Sequence, residues 1–105
     1  MPGAEILHTY VFVRTDIPFA SQAVQVGHAC LEAGARFGRP AAAAHLVLLG
    51  VPSEAALRDG LARLDAEGIR YALFFEPDDG LGFTAACTEP LAGEGRRFFR
   101  RYRLR

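Results

Sequence analysis

Residues 7–14 read Leu-His-Thr-Tyr-Val-Phe-Val-Arg, and this stretch decides the fold. Its centre, from Tyr10 to Val13, is β-branched and aromatic with no polar alternation, which predicts a strand covered on both faces. From residue 20 to residue 35 the small and apolar residues recur every three or four positions, which predicts a helix. A buried strand followed at once by a helix is typical of the start of an α/β fold.

This first helix is predicted to have two different sides. Its small and apolar residues share one side, which we expect to face the sheet: Ala23, Gly27, Cys30, Leu31 and Gly34. Its polar residues form a stripe along the opposite side: Ser21, Gln25, His28 and Glu32.

The rest of the chain alternates in the same way. Further strands are predicted at residues 45–49, 69–75 and 83–88. A second helix is predicted to begin after Ser53, to end near Gly68 and to bury Leu57, Leu61 and Leu64. The crossover helices imply parallel neighbouring strands, and the short turn at residues 76–80 implies an antiparallel last strand. We therefore expect one α/β domain over residues 1–105, a three-layer α/β/α sandwich with a mixed four-stranded sheet.

The composition is that of a single globular domain. The chain has 105 residues, of which 50% are hydrophobic and 23% are charged. It has no apolar run near the ~20 residues of a membrane-spanning helix, and residues 1–5 lack the features of a signal peptide. We expect a cytoplasmic protein with no membrane partner. Cys30 and Cys87 lack CxxC spacing and are expected to be small core residues.

The net charge of zero hides an uneven distribution. All 12 basic residues are Arg, which excludes any mechanism that needs a lysine amine. Residues 96–105 carry +6 and residues 1–95 carry −6. Two interpretations of this basic tail stay open. Either Phe98, Phe99 and Tyr102 pack on the core while the arginines are solvated or pair with the acidic body, or the arginines contact RNA phosphates. The candidate RNA-binding residues are Arg96, Arg97, Arg100, Arg101 and Arg103.

In sheets of this kind, ligands bind outside the carboxyl ends of the parallel strands. An aspartate there could orient a water molecule, although Asp78, Asp79 and Gly80 also suit an ordinary turn. The acids and histidines have no metal-ligand spacing, so we expect no metal and no cofactor. The rule places these residues at that edge: Thr15, Asp16, Ser21, Gln22, Gln25, Glu76, Asp78, Asp79 and Thr84.

Several segments together resemble a known family. They are the strand at 10–16 with the helix at 21–29, the segment 45–54, the turn Glu-Pro-Asp-Asp-Gly at 76–80, and the segment 84–90. In order and spacing they resemble the archaeal and eukaryotic type (type II) of peptidyl-tRNA hydrolase. The chain is more similar still to short bacterial and phage relatives with a Ser-x-x-Gln/His helix, a Glu-Pro-Asp turn and a Phe-Arg-Arg/Lys-Tyr tail.

The resemblance implies hydrolysis of the ester between a peptide or aminoacyl group and tRNA, on the family's three-layer α/β sandwich. It implies that Asp78 orients water, that Gln25 and His28 order the helix face, and that the tail arginines hold the acceptor stem. Ser21 falls where the family has an important lysine, and Thr84 lies beyond the shortened loop. The implied partners are tRNA and a second copy, with no DNA. Two alternatives stay open: a non-catalytic tRNA- or RNA-binding protein, and a dimeric interaction module whose tail packs on its partner.

Overall fold

A computed structural model describes residues 6–40 and 44–105, with the backbone alone at residues 94 and 96. Residues 1–5, considered above for targeting signals, lie outside this part of the chain. None of the described helices is long and apolar enough to cross a membrane. The elements in chain order are β1 His8–Arg14, α1 Phe19–Phe37, β2 His45–Val51, α2 Glu54–Ala66, β3 Tyr71–Glu76, a 3-10 turn Asp78–Gly80, β4 Gly82–Thr88, a 3-10 turn Gly93–Gly95, α3 Arg96–Phe99 and β5 Arg103–Leu104.

The described strands form one mixed sheet of five strands in the order β3-β4-β1-β2-β5. β2 is parallel to β1, and β4 is antiparallel to both β1 and β3. The carboxyl ends of β1, β2 and β3 therefore share one edge of the sheet, where β4 begins. The predicted antiparallel β4 is confirmed. The predicted number of four strands is wrong, because Arg103 and Leu104 pair with Gly50 and Leu49, and a two-residue strand has no periodicity to detect.

Helices lie on both faces of the sheet. On one face α2 and α3 cover large side chains, and the predicted burial of Leu57, Leu61 and Leu64 is confirmed. On the other face α1 covers small ones, and the core on that side consists of Val11, Val13, Ala29, Ala33, Ala72, Ala85 and Cys87.

The predicted ends of α2 are also confirmed. The Ser53 hydroxyl accepts a hydrogen bond from the Ala56 amide at 3.1 Å, so it caps the first turn. The helix ends at Ala66, and Gly68 follows with φ of +71°, a conformation that favours glycine.

The predicted buried side of α1 is wrong. Leu31 is 74% exposed, and Ala23, Gly27 and Gly34 are exposed as well. The side facing the sheet instead carries Gln22, Gln25, Ala29 and Ala33. Hydrophobic periodicity predicts that glutamine faces solvent. A glutamine side chain can nevertheless be buried where its amide group forms hydrogen bonds. Both glutamines have such partners, which are described below.

The aromatic residues of the tail pack on the core, as the first interpretation predicted. Phe99 is only 3% exposed, and its ring lies parallel to that of Tyr10 with 3.7 Å between centroids. The Tyr102 ring meets the Phe12 ring edge-on at 4.7 Å. These contacts place α3 and β5 against their own chain's sheet.

Candidate active site and basic tail

A β-bulge at the start of β4 orients the most buried polar side chain of the carboxyl edge. Phe74 pairs with Ala85 and Phe75 pairs with Phe83, so Thr84 is an extra residue without a cross-strand partner. Its hydroxyl donates a hydrogen bond to Gln25 Oε1 at 2.8 Å. The bulge therefore connects β4 to α1.

The Gln25 amide extends this connection to a third element. Its Nε2 group donates to Glu76 Oε1, at the end of β3, at 3.2 Å. Thr84 is fully buried and Gln25 is 2% exposed, whereas Glu76 is half-buried. Thr84 and Gln25 thus orient the Glu76 carboxylate from its buried side. The sequence placed Glu76 at this edge but assigned it no role.

Arg14 joins the end of β1 to the start of β4. Its Nε and Nη2 atoms each donate to one carboxylate oxygen of Asp16, both at 2.9 Å. Its Nη1 atom donates to the carbonyl oxygens of Leu81 and Phe83. The hydrogen bonds from Arg14 hold the pKa of Asp16 below its usual value. Asp16 is therefore an ion-pair partner of Arg14 and a poor candidate base.

Glu54, the first residue of α2, also fixes the start of β4. Its Oε2 atom accepts a hydrogen bond from the Phe83 amide at 2.8 Å. A Cβ at Gly82 would lie 2.4 Å from that oxygen, and Gly82 has φ of +75°. Only glycine therefore allows the carboxylate this close to the backbone.

The acids of this edge do not converge on one point. Asp16 is held by Arg14 and Glu76 by Gln25. Asp78 is exposed in its 3-10 turn, and in the described part of the chain its carboxylate makes no hydrogen bond or ion pair. Within residues 6–40 and 44–105, no group of three or more His, Cys, Asp or Glu residues lies close enough together to hold a metal ion.

The other predicted site residues of α1 lie apart from this network. His28 is exposed, and its ring stacks on Phe74 of β3 with 4.3 Å between centroids and 8° between planes. Ser21 is half-buried in the first turn of the helix. The structure thus brings Gln25 and Thr84 together, and it leaves Ser21, His28 and Asp78 outside their hydrogen-bond network.

Arg105 brings a positive charge to the start of α1, which sequence reasoning missed. Its Nε atom donates to Gln22 Oε1 at 2.8 Å, and its guanidinium carbon lies 5.5 Å from the Phe19 ring centroid. Phe19 and Gln22 lie on either side of Ser21 in the sequence. Gln22 in turn donates to the Ile17 carbonyl at 2.9 Å. Only the path of β5, along β2, places this guanidinium here.

The other tail arginines face solvent. Arg97, Arg100, Arg101 and Arg103 are exposed, and none of them forms an ion pair with an acid of the described residues. Arg101 lies 5.0 Å above the ring of Phe98. The side chain of Arg96 lies outside the described part of the chain. The acidic residues in the described part of the chain therefore leave these four guanidinium groups without an ion-pair partner.

The fold and the edge described so far define a mixed α/β protein with helices on both faces of the sheet. The chain is similar in structure to a protein of unknown function from Agrobacterium tumefaciens strain C58, with a TM-score of 0.71 and 14% sequence identity. The match covers 94% of this chain and 97% of that one. At this identity the likeness shows the fold alone. No family model and no curated protein matches the sequence.

Proposed function

We propose that the protein is a cytoplasmic hydrolase of the peptidyl-tRNA hydrolase type II class, which cleaves the ester between tRNA and a peptide or aminoacyl group. The observation that carries this proposal is the path of β5. Arg103 pairs with Gly50 beside the carboxyl end of β2, and Arg105 contacts the start of α1. Phosphate-binding groups of the tail thus reach the edge of the sheet that holds the polar network.

The residues divide into two roles in this proposal. Arg97, Arg100, Arg101 and Arg103 bind phosphates of the acceptor stem, because their guanidinium groups are exposed and have no acid partner among the described residues. Asp78 orients the attacking water, since it is an exposed carboxylate in the turn after β3 and the family resemblance implies this role for it.

The buried residues hold this turn in place. Thr84 and Gln25 are positioning residues, because their hydrogen bonds fix Glu76 at the end of β3, two residues before Asp78. Arg105 supplies a permanent positive charge at Phe19 and Gln22, in the same first turn of α1 as Ser21, where the family resemblance implies a lysine. A guanidinium can stabilise the developing oxyanion of the ester but cannot act as a titrating amine.

The test of catalysis is release of the acyl group from an N-acetylated aminoacyl-tRNA. We expect Asp78→Asn to slow release by about 100-fold or more, the range for loss of a general base. Asp79→Asn is the matched control, because the neighbouring acid has φ of 57° and asparagine tolerates that conformation. If the wild-type protein at micromolar concentration releases nothing while a known peptidyl-tRNA hydrolase is active on the same substrate, the catalytic proposal is wrong.

A second candidate function is tRNA binding without catalysis. It is favoured by the burial of Gln25 and Thr84, since neither side chain can touch a substrate in this conformation. It predicts that binding weakens steeply with salt, because phosphate contacts release counterions.

The binding test must use substitutions, because removal of residues 96–105 would also remove the buried Phe99. We expect Arg100→Gln with Arg103→Gln to lower the slope of log affinity against log salt by about 1.4–1.8, or roughly 0.7–0.9 for each phosphate that is no longer neutralised. Arg36→Gln with Arg63→Gln, also exposed, is the control and should leave the slope unchanged. Equal effects of the two pairs would show that the tail is not the binding surface.

A further inference from the structure

The two cysteines of the chain meet across the interface between α1 and β4. Cys30 is half-buried on α1, and Cys87 is 2% exposed on β4. Cys30 packs against the buried cluster that contains Cys87, although the two residues are far apart in the sequence. Cys87 Sγ also lies 3.7 Å from the carbonyl oxygen of Thr88. The sequence predicts two small core residues, which Cys87 is, but it does not predict that they lie together.

A small molecule can reach this pair through Cys30, which is half-buried. A pocket of about 320 Å³ opens between the end of α1 and the sheet, and both cysteines line it. Ala33, Phe37 and Pro90 give it apolar walls, and Arg39 adds one positive charge. Among the residues that the structure describes, no acidic residue lines it. The pocket therefore suits a compact molecule with an anionic group.

The two thiols differ in acidity. The hydrogen bond from Cys87 stabilises the thiolate of Cys30 and lowers its pKa to about 7. The same contact, together with burial, raises the pKa of Cys87 above its ordinary value. Since the thiolate is the reactive form, Cys30 is the nucleophile near neutral pH and Cys87 stays protonated beside it.

We propose that Cys30 and Cys87 form a thiol-modification site, in which Cys30 attacks a small anionic disulfide in the pocket and Cys87 completes an intramolecular disulfide. In the first step the Cys30 thiolate bonds to one sulfur of the small disulfide, and the other sulfur leaves as a thiolate. In the second step Cys87 gives its proton to that thiolate and attacks Cys30 Sγ, which expels the second small thiol. The protein loses two electrons, and the small disulfide gains them.

This site is independent of the proposed hydrolase, but oxidation would link the same two elements. Cys30 lies on the helix that carries Gln25, and Cys87 lies on the strand that carries Thr84. A disulfide bond between them would link α1 to β4 at the end of this interface that is distant from Gln25 and Thr84. A disulfide in a reducing compartment is typically transient, which suits a redox-responsive modification.

The test uses the full chain and glutathione disulfide at neutral pH, with intact mass and free thiols measured over time. We expect the wild-type protein to lose both free thiols and two hydrogens without gaining a glutathione. Cys87→Ala should stop at one glutathione adduct, and Cys30→Ala should stay unmodified because Cys87 is buried. Two free thiols that persist in the wild-type protein, or equal adducts on both single variants, would overturn the proposal.

A second measurement needs no variant. Iodoacetamide should label Cys30 before Cys87 in the folded wild-type protein, and the labelling rate should rise with pH around a midpoint near 7. Labelling of both cysteines at one rate, or a midpoint above 8, would contradict the assignment of Cys30 as the nucleophile. In denaturant the two cysteines should react alike, which serves as the internal control.

Discussion

The two faces of the sheet bury side chains of different size and polarity. The face under α2 and α3 buries large side chains, including Phe12, Leu49, Leu64 and Phe99. The face under α1 buries alanine, valine and cysteine, together with the polar side chains of Gln25 and Thr84. The first face resembles a conventional hydrophobic core, and the second contains the candidate positioning network and the dithiol pair.

This difference shows where the fold can accommodate polar chemistry. Burial of apolar area contributes about 25 cal/mol per Å², so the large side chains under α2 and α3 give more stability than the small ones under α1. Small side chains at Ala29, Ala33 and Ala85 leave room for short polar groups to meet across the interface. The side chains that contribute most to stability therefore lie on one face of the sheet, and the candidate positioning network lies on the other.

The largest expected effect concerns the tail on the α2 and α3 face. Phe99→Ala should lower the free energy of unfolding by about 3–5 kcal/mol, because it empties the site stacked on Tyr10. Phe19→Ala is the matched control: Phe19 is 74% exposed, and its loss should cost about 1 kcal/mol or less. Urea unfolding followed by circular dichroism measures both. Equal losses would mean that the tail does not dock on the sheet.

The difference between the two faces also explains why the buried side of α2 could be predicted from the sequence and that of α1 could not. In α2 the leucines at 57, 61 and 64 are the only large apolar side chains, so their spacing identifies the buried face. In α1 the large apolar side chains of Val24 and Leu31 point to solvent, while Gln22 and Gln25 face the sheet. The hydrogen-bond partners that permit this arrangement come from distant parts of the chain, and hydrophobic periodicity does not reveal them.

An intermediate effect is expected for two threonines of β4. Thr84→Val and Thr88→Val each remove a buried hydroxyl, and each should cost about 1–3 kcal/mol in the free energy of unfolding. Thr88 bonds to the Tyr10 amide and the Glu89 carbonyl, away from Gln25. We therefore expect only Thr84→Val to lower kcat for ester release from tRNA, with KM little changed. If both variants lower kcat equally, Thr84 acts through stability alone.

The candidate site was predictable only in part. The rule that ligands bind at the carboxyl ends of parallel strands predicts from the sequence that Thr84, Gln25 and Glu76 lie at one edge. Their hydrogen bonds depend on the β-bulge at Thr84, which no sequence pattern predicts. Arg105 at the start of α1 and Cys30 against Cys87 depend on long-range pairing of strands and helix. Such contacts are set by topology rather than by local spacing.

The smallest expected effect concerns the outer side of α1. Leu31→Arg should change the free energy of unfolding by no more than about 0.5 kcal/mol, because Leu31 is 74% exposed and the arginine stays in water. Leu64→Arg is the matched control on the other face, where an unpaired charge would be buried and should prevent folding.

The mass in solution, measured by light scattering, should be the same for Leu31→Arg and the wild-type protein. A fall in mass, with a loss of stability, would mean that a second copy covers this side of α1. The small-residue side predicted from the sequence would then be buried after all, between two protomers rather than against the sheet.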